Sequence, residues 1–297
     1  MDLNRDGIVD ILSGSYSRME ESMAGLFQVL YGVEGGGFRK PTPVLGTDEE
    51  PLIIQVAGEA EDVDVRKICT RPTAADLDGD GLLDIVTGNF GGSFAVFWGT
   101  NEGFDPVSVM LKGSDGKELT VHHHSDPVLV DWDADGDLDL VTGSGFGGVS
   151  MFPNIGTKTE ARFGDNVVLV PTPEAASNGV TVFGDEHIKA PGSSTRVEVA
   201  DLNGDGKLDL LLGDSAQLSF PAKGLTEEEC LERCAAWDKE ASAVYETSPD
   251  IADWENMTPE ESEAQEAFNE KIQALYQKRS EFIEERGTGY VWALLQK

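Results

Sequence analysis

The sequence is poor in positive charge and has no long apolar run. Its 297 residues include 22 Lys and Arg against 55 Asp and Glu, which gives a formal net charge of −33. A field of that sign repels nucleic acid and anionic membranes and attracts cations or basic partners. No apolar stretch approaches the roughly 20 residues that a membrane-spanning helix needs. We therefore expect neither nucleic-acid binding nor a transmembrane segment, while the oligomeric state stays open.

Cysteine is also scarce, with only Cys69, Cys230 and Cys234 present. The last two lie four residues apart in a predicted helix, where their side chains run parallel one turn apart and suit a disulfide poorly. The sequence has no C-x-x-C pattern of the kind that indicates a zinc site. We expect free thiols, which say little about the cellular compartment.

Acidic residues, by contrast, are concentrated in one loop, "DWDADGDLDLV" at residues 131–141. Its aspartates at positions 1, 3, 5 and 9 are Asp131, Asp133, Asp135 and Asp139. Gly136 at position 6 permits a sharp turn, so the carboxylates can surround one hard cation, as at the start of an EF-hand loop. Position 12 is Thr142 instead of glutamate, and the residues after the glycine alternate like a strand. The loop is therefore not an EF-hand.

The same loop occurs four times along the chain. The copies are "DLNRDGIVD" (Asp2–Asp10), "DLDGDGLLD" (Asp76–Asp84), "DWDADGDLD" (Asp131–Asp139) and "DLNGDGKLD" (Asp201–Asp209). Each copy runs into a strand pattern, and a short apolar strand leads into the last three loops. Repeats on this scale predict one four-stranded sheet per copy, arranged as a propeller or an array.

The loop pattern D-x-[DN]-x-D-G-x-x-D between two strands resembles the FG-GAP/VCBS repeat, which occurs in integrin α-subunit propellers and in many secreted bacterial proteins. "NFGG" (residues 89–92) and "GFGG" (residues 145–148) resemble the Phe-Gly turn of that family. The resemblance covers about residues 1–220 plus the last strand. It implies an all-β fold, a β-propeller with about four visible blades. A compact four-bladed form and an arc that further residues complete both stay open.

The resemblance also implies calcium, up to one ion in each acidic loop. The side-chain ligands would be Asp2, Asn4, Asp6 and Asp10; Asp76, Asp78, Asp80 and Asp84; Asp131, Asp133, Asp135 and Asp139; and Asp201, Asn203, Asp205 and Asp209. The backbone carbonyls at position 7 would complete each shell: Ile8, Leu82, Asp137 and Lys207. Cytosolic calcium is too low to fill sites of the extracellular-module kind, at about 10⁻⁴–10⁻³ M. The loops therefore predict an extracellular or periplasmic protein.

The β pattern stops after the fourth repeat, where the sequence becomes acidic and helical. Capping boxes occur at Thr226–Glu229 and Thr258–Glu261, an apolar stripe at helical spacing runs on to Phe282 and Ile283, and Arg286-Gly287 marks a helix end. The predicted domains are propeller blades over residues 1–224, a helical hairpin inserted in the last blade over residues 225–286, and a final strand over residues 287–297 that returns to that blade.

The first repeat lacks an entering strand, because Met1 stands directly before its loop. No signal peptide precedes that loop. We expect the chain to be a fragment or a shortened form whose parent has earlier residues.

One further cluster is a candidate for chemistry, "HHHSDP" at residues 122–127. On a strand, His122 and His124 would point to one side; with a carboxylate they could bind a transition metal or act as acid and base. Packing at the blade rim is the alternative. No nucleophile with a paired base is identifiable, so we assign no catalytic or cofactor-binding residue.

These observations predict a calcium-binding β-propeller that acts without catalysis, as an adhesion or scaffold module for protein or carbohydrate. The alternative is a propeller enzyme, or a fragment of one, that acts on polysaccharide through the His122–His124 region.

Overall fold

The computed structural model describes residues 1–17, 23–56, 64–173, 183–185, 188–251 and 257–297. The fold is mostly β, with 35% strand and two helices in the described residues. The chain forms two compact units, one of residues 1–173, 191–215 and 289–297 and one of residues 174–190 and 216–288. Neither helix is long and apolar enough to cross a membrane.

In the first unit, the second, third and fourth acidic loops each lie between two antiparallel strands of one sheet, whereas the first loop precedes the first strand of its sheet. The first repeat has three strands in the order β1-β2-β3: β1 (Ile11–Gly14), β2 (Phe27–Leu30) and β3 (Thr42–Pro43). A short 3₁₀ helix, Val65–Lys67, precedes the second repeat.

The second repeat has a four-stranded sheet, in the order β4-β5-β6-β9, and a separate two-stranded hairpin, β7-β8. These strands are β4 (Arg71–Ala75), β5 (Asp84–Gly88), β6 (Phe94–Phe97), β7 (Gly99–Thr100), β8 (Gly103–Phe104) and β9 (Val109–Met110). The third repeat has the order β10-β11-β12-β13: β10 (Asp126–Val130), β11 (Asp139–Gly143), β12 (Val149–Phe152) and β13 (Val167–Val170). One four-stranded sheet per repeat is therefore present in both copies.

The remaining elements begin with the strand that enters the fourth loop. They are β14 (Ser193–Ala200), β15 (Asp209–Pro221), α1 (Glu227–Tyr245), α2 (Pro259–Arg279), β16 (Ile283–Thr288) and β17 (Val291–Leu294). In the first unit, β15 pairs with β14 on one side and with β17 on the other. β17 pairs with β15 in the register seen in the earlier repeats. Leu210 lies opposite Leu294, as Ile85 lies opposite Phe97 in the second repeat and Leu140 opposite Phe152 in the third.

Neighbouring sheets of the first unit share apolar cores, because each central strand buries both of its faces. In β5, Ile85 packs with the first repeat and Val86 with the third. In β11, Leu140 packs with the second repeat and Val141 with the fourth. Period-2 alternation sends successive side chains to opposite faces, so a strand with two covered faces reads as a continuous apolar run.

A hydroxyl joins each repeat to the one before it. Thr195 accepts a hydrogen bond from the N–H of Ser144 at 2.9 Å and donates one to the carbonyl of Gly148 at 2.6 Å. A Cβ on Gly143 would come within 2.3 Å of the Thr195 carbonyl oxygen, so only glycine permits this approach. The hydroxyls that do this at the three junctions are those of Thr70, Ser125 and Thr195.

In the second unit, α1 and α2 form an antiparallel pair. The Trp237 indole N–H donates to the Leu275 carbonyl at 2.8 Å, and the Tyr245 and Tyr276 hydroxyls lie 3.1 Å apart. Thr226 and Thr258 make the two predicted capping boxes. All three cysteines are free, and Cys230 and Cys234 are buried.

The predicted helix end at Arg286-Gly287 is wrong. α2 ends at Arg279, and β16 pairs antiparallel with Ala216–Pro221 of β15. Phe282 and Ile283 therefore do not belong to a helical stripe; they are buried together with the two cysteines. The sequence pattern of a short acidic segment could not reveal this partner strand, which lies far away along the chain.

Candidate metal centres

The four acidic loops share one backbone conformation, held by the first and fifth residues of each loop. In the third loop, Asp131 accepts hydrogen bonds from the N–H groups of Asp135 and Gly136, and Asp135 accepts one from Asp137. Gly136 has a φ of 99°, a left-handed conformation that favours glycine. The other copies repeat the bond from the glycine to position 1 at 2.8, 3.0 and 2.9 Å. The sharp turn predicted at position 6 is therefore present.

The aspartate at position 9 is buried and binds backbone on both sides. Asp84 accepts the N–H of Leu77 at 2.8 Å through one oxygen and the N–H of Gly99 at 2.7 Å through the other. The same pair of bonds recurs in all four copies, at Asp10, Asp84, Asp139 and Asp209. This residue therefore ties the start of its loop to the residue two positions beyond the strand that pairs with the strand after the loop, which is β2, β6, β12 or β17. Sequence reasoning assigned it only as a ligand, because its second partner is distant in the chain.

In two loops the structure brings three carboxylates together. Asp76, Asp78 and Asp84 each offer an oxygen within 4.8 Å of the others in the second loop. Asp131, Asp133 and Asp135 do so in the third loop, without Asp139. Like charges this close repel one another, and oxygen donors of this kind suit a hard cation.

One oxygen in the second loop has no protein partner. The Oδ2 of Asp76 accepts the N–H of Gly81 at 3.0 Å, whereas its Oδ1 is buried and makes no hydrogen bond. A buried acceptor without a partner costs free energy, and a cation would satisfy it. In the third loop, the Oδ1 of Asp137 is likewise buried and unpaired. That side chain was not predicted as a ligand; the sequence prediction assigned only the position-7 carbonyl.

The first and fourth loops differ, since position 3 is an asparagine. The amide of Asn4 donates to Asp6 at 3.0 Å, and the amide of Asn203 donates to Asp205 at 3.2 Å. Within the described part of the chain, no group of three acidic, histidine or cysteine ligands lies close together in these two loops. The amides supply oxygens that can also bind a hard cation. At position 7, the N–H groups of Ile8, Leu82 and Lys207 bind the position-5 carboxylates.

The pKa values reflect the burial of position 9. The pKa of Asp84 is raised to about 6, chiefly by burial and to a smaller extent by the nearby Asp78 and Asp80 carboxylates, while the N–H groups of Gly99 and Leu77 oppose the shift. Burial likewise raises the pKa of Asp139. Because a bound divalent cation favours the ionised form, it would reverse both shifts.

The histidine cluster is a bend, so the prediction that it is a strand is wrong. His123 and His124 have φ values of 59° and 51°, and strand alternation does not apply to them. The Nδ1 of His124 lies 3.2 Å from a guanidinium nitrogen of Arg71 and therefore acts as the acceptor. Burial, with the charges of Arg71, His123 and Arg196, lowers the pKa of His124 to about 4.

Comparison with known proteins agrees with the loop pattern. No curated protein matches the chain. The family model described as the FG-GAP-like repeat matches residues 76–142 and 131–212, which contain the second, third and fourth acidic loops. Residues 76–212 of the chain therefore contain FG-GAP-like repeats.

Proposed function

We propose that this protein is a calcium-stabilised, extracellular or periplasmic β-propeller module that binds protein or carbohydrate without catalysis. FG-GAP repeats are typical of extracellular proteins and suggest a binding or adhesion module. The acidic clusters can hold a metal ion.

The observation that carries the calcium proposal is the unpaired, buried Oδ1 of Asp76, with carboxylate oxygens of Asp78 and Asp84 in the same cluster. Calcium takes six to eight oxygen ligands in flexible geometry, whereas magnesium demands a near-ideal octahedron and retains several waters. A loop with carboxylates at positions 1, 3, 5 and 9 and a carbonyl at position 7 therefore favours calcium. We extend the same ligand positions to all four loops.

The propeller proposal rests on how consecutive sheets pack. Each central strand contacts the preceding repeat through one side chain and the following repeat through the next, as Ile85 and Val86 do. Face-to-face packing of consecutive four-stranded sheets is the arrangement of propeller blades. We propose blades over residues 1–224, with residues 225–286 as an insertion and residues 287–297 as the return. The pairing of β17 with β15 supports that division.

We do not extend the proposal to catalysis by the histidines. The Nδ1 of His124 faces Arg71, and the lowered pKa leaves the imidazole neutral near pH 7.

Calcium titration of chelator-stripped protein tests the proposal. We expect the melting temperature to rise with calcium, by the equivalent of about 2.7 kcal/mol for each site at a free concentration 100 times the dissociation constant of that site. The double variant Asp76→Asn/Asp78→Asn should bind one ion fewer by isothermal titration calorimetry. Asp238→Asn, an exposed change on α1, is the control and should keep the wild-type number of ions. A melting temperature that does not respond to calcium contradicts the proposal.

A further inference from the structure

A groove of about 180 Å³ opens in the first unit beside the third sheet. Its polar lining residues are Thr120, His122, Ser144, Ser150, Asn166 and Thr172, and the rest of its wall is glycine and valine. Among the described residues, no Asp, Glu, Lys or Arg lines it, although such residues form 26% of the chain. Although the protein has a net charge of −33, the lining of this groove offers no ion-pair partner to a basic or an acidic ligand.

Several polar groups of this groove are available to a ligand. The side chains of Thr120, Ser150 and Asn166 make no hydrogen bond to the part of the chain that the structure describes. None of their polar atoms is buried without a hydrogen-bond partner. The hydroxyl of Ser144, by contrast, donates to the Gly147 carbonyl at 2.7 Å. The groove therefore presents two hydroxyls and one amide, which can both donate and accept.

An exposed aromatic ring stands next to these groups. Phe146 is 58% exposed. Its ring stacks on that of His122, a lining residue of the groove, at a centroid distance of 6.1 Å and on that of His123 at 5.7 Å. The corresponding phenylalanine of the second repeat, Phe90, is covered by His123 and His124 with centroids 4.3 and 4.5 Å away. Each ring therefore contacts two histidines, but Phe146 stays exposed whereas Phe90 is partly buried.

We propose that this groove binds an uncharged saccharide, with one sugar ring against Phe146 and its hydroxyls on Thr120, Ser150 and Asn166. This rests on the proposed binding function and names its ligand class and place. An aromatic face matches the apolar C–H face of a sugar, and neutral donors and acceptors match its hydroxyls. Ligand pockets for drug-sized molecules are about 300–1,000 Å³, so the smaller groove accommodates a single ring of a longer chain.

Titration calorimetry of the calcium-saturated full chain tests this, with cellohexaose, xylohexaose, mannohexaose and laminarihexaose as uncharged probes and hexagalacturonate as the anionic probe. We expect at least one uncharged probe to bind. Phe146→Ala should weaken that binding roughly tenfold, and Phe146→Trp should retain it. Asn166→Ala should also weaken it. Phe38→Ala removes an exposed ring of the first repeat and should leave the affinity unchanged.

The proposal is overturned if none of the four uncharged probes binds, if only hexagalacturonate binds, or if Phe146→Ala binds as wild type does. Should Phe146→Ala fail to fold, Asn166→Ala and Ser150→Ala decide in its place, and wild-type affinity in both overturns the proposal. The calcium titration separates the two claims: a chain that calcium stabilises but that binds no sugar refutes the groove alone. Sugar binding without any calcium effect refutes the calcium claim alone.

Discussion

The carboxylate of Asp209 accepts a hydrogen bond at 2.8 Å from the backbone N–H of Gln296, which lies 87 residues further along the chain. Its other oxygen accepts the N–H of Leu202, at the start of the same loop, at 2.9 Å. Asp209 is buried. One side chain therefore binds the acidic loop of the fourth repeat to the end of β17, across the helices that separate them in sequence.

Asp209→Asn should destabilise the first unit. Asparagine replaces one accepting oxygen with an NH₂ group, which would face a backbone N–H. Because that buried N–H then lacks an acceptor, we expect a cost of about 1–3 kcal/mol in the free energy of unfolding. Chemical denaturation measures this loss. Because the hydrogen bonds are to backbone, the loss should persist when a chelator removes calcium. A loss seen only with calcium present would mean that the residue acts chiefly as a ligand.

Gly143→Ala should destabilise the junction between the third and fourth repeats. The new Cβ would lie 2.3 Å from the Thr195 carbonyl oxygen. Neither atom can move away through a change of side-chain rotamer. We expect a loss of about 1–3 kcal/mol in denaturation. Gly213→Ala is the matched control, since the nearest atom to a Cβ there is the Cβ of Arg196 at 4.0 Å. Equal losses in the two variants would contradict this account of the junction.

His124→Asn should reduce the loss of stability on acidification. The pKa of His124 is lowered to about 4 in the fold, against about 6.5 in an unfolded chain. Between these values the unfolded chain binds a proton that the folded chain does not, so stability falls as pH drops from about 6.5 to about 4. The asparagine oxygen can still accept from Arg71 but does not titrate.

Melting temperatures at pH 7 and pH 5 check this prediction. The wild type should lose more than His124→Asn between the two values, by an amount on the order of a few degrees. A larger loss in the variant would show that the sign of the linkage is wrong.

Trp237→Phe should loosen the helical pair. It removes the bond from the indole N–H to the Leu275 carbonyl, and a hydrogen bond of this kind contributes about 0.5–1.5 kcal/mol. The guanidinium of Arg279, which lies 5.2 Å from the indole centroid, also loses its best aromatic partner. Hydrogen exchange should accelerate in residues 227–245 and 259–279 and stay unchanged in the third sheet. Uniform acceleration throughout the chain would contradict a local role.

The sequence alone determined the features whose cause is local. A glycine at position 6 with aspartates at fixed spacing predicts the turn and the acidic cluster wherever the loop stands, and Thr142 at position 12 excludes an EF-hand. Thr226 and Thr258 likewise predict the helix starts, because a capping box lies within four residues.

Only the tertiary structure decided what each loop touches. The second partner of Asp209, the pairing of β16 with β15, and the contact between His124 and Arg71 all join residues more than 50 positions apart. Such contacts depend on which strands pair with each other. The periodicity of hydrophobic residues indicates only which face of a strand is buried. The sequence therefore predicted the acidic loops, whereas their attachment to the strands, the partly buried His124 and the groove beside the third sheet came from packing between distant segments.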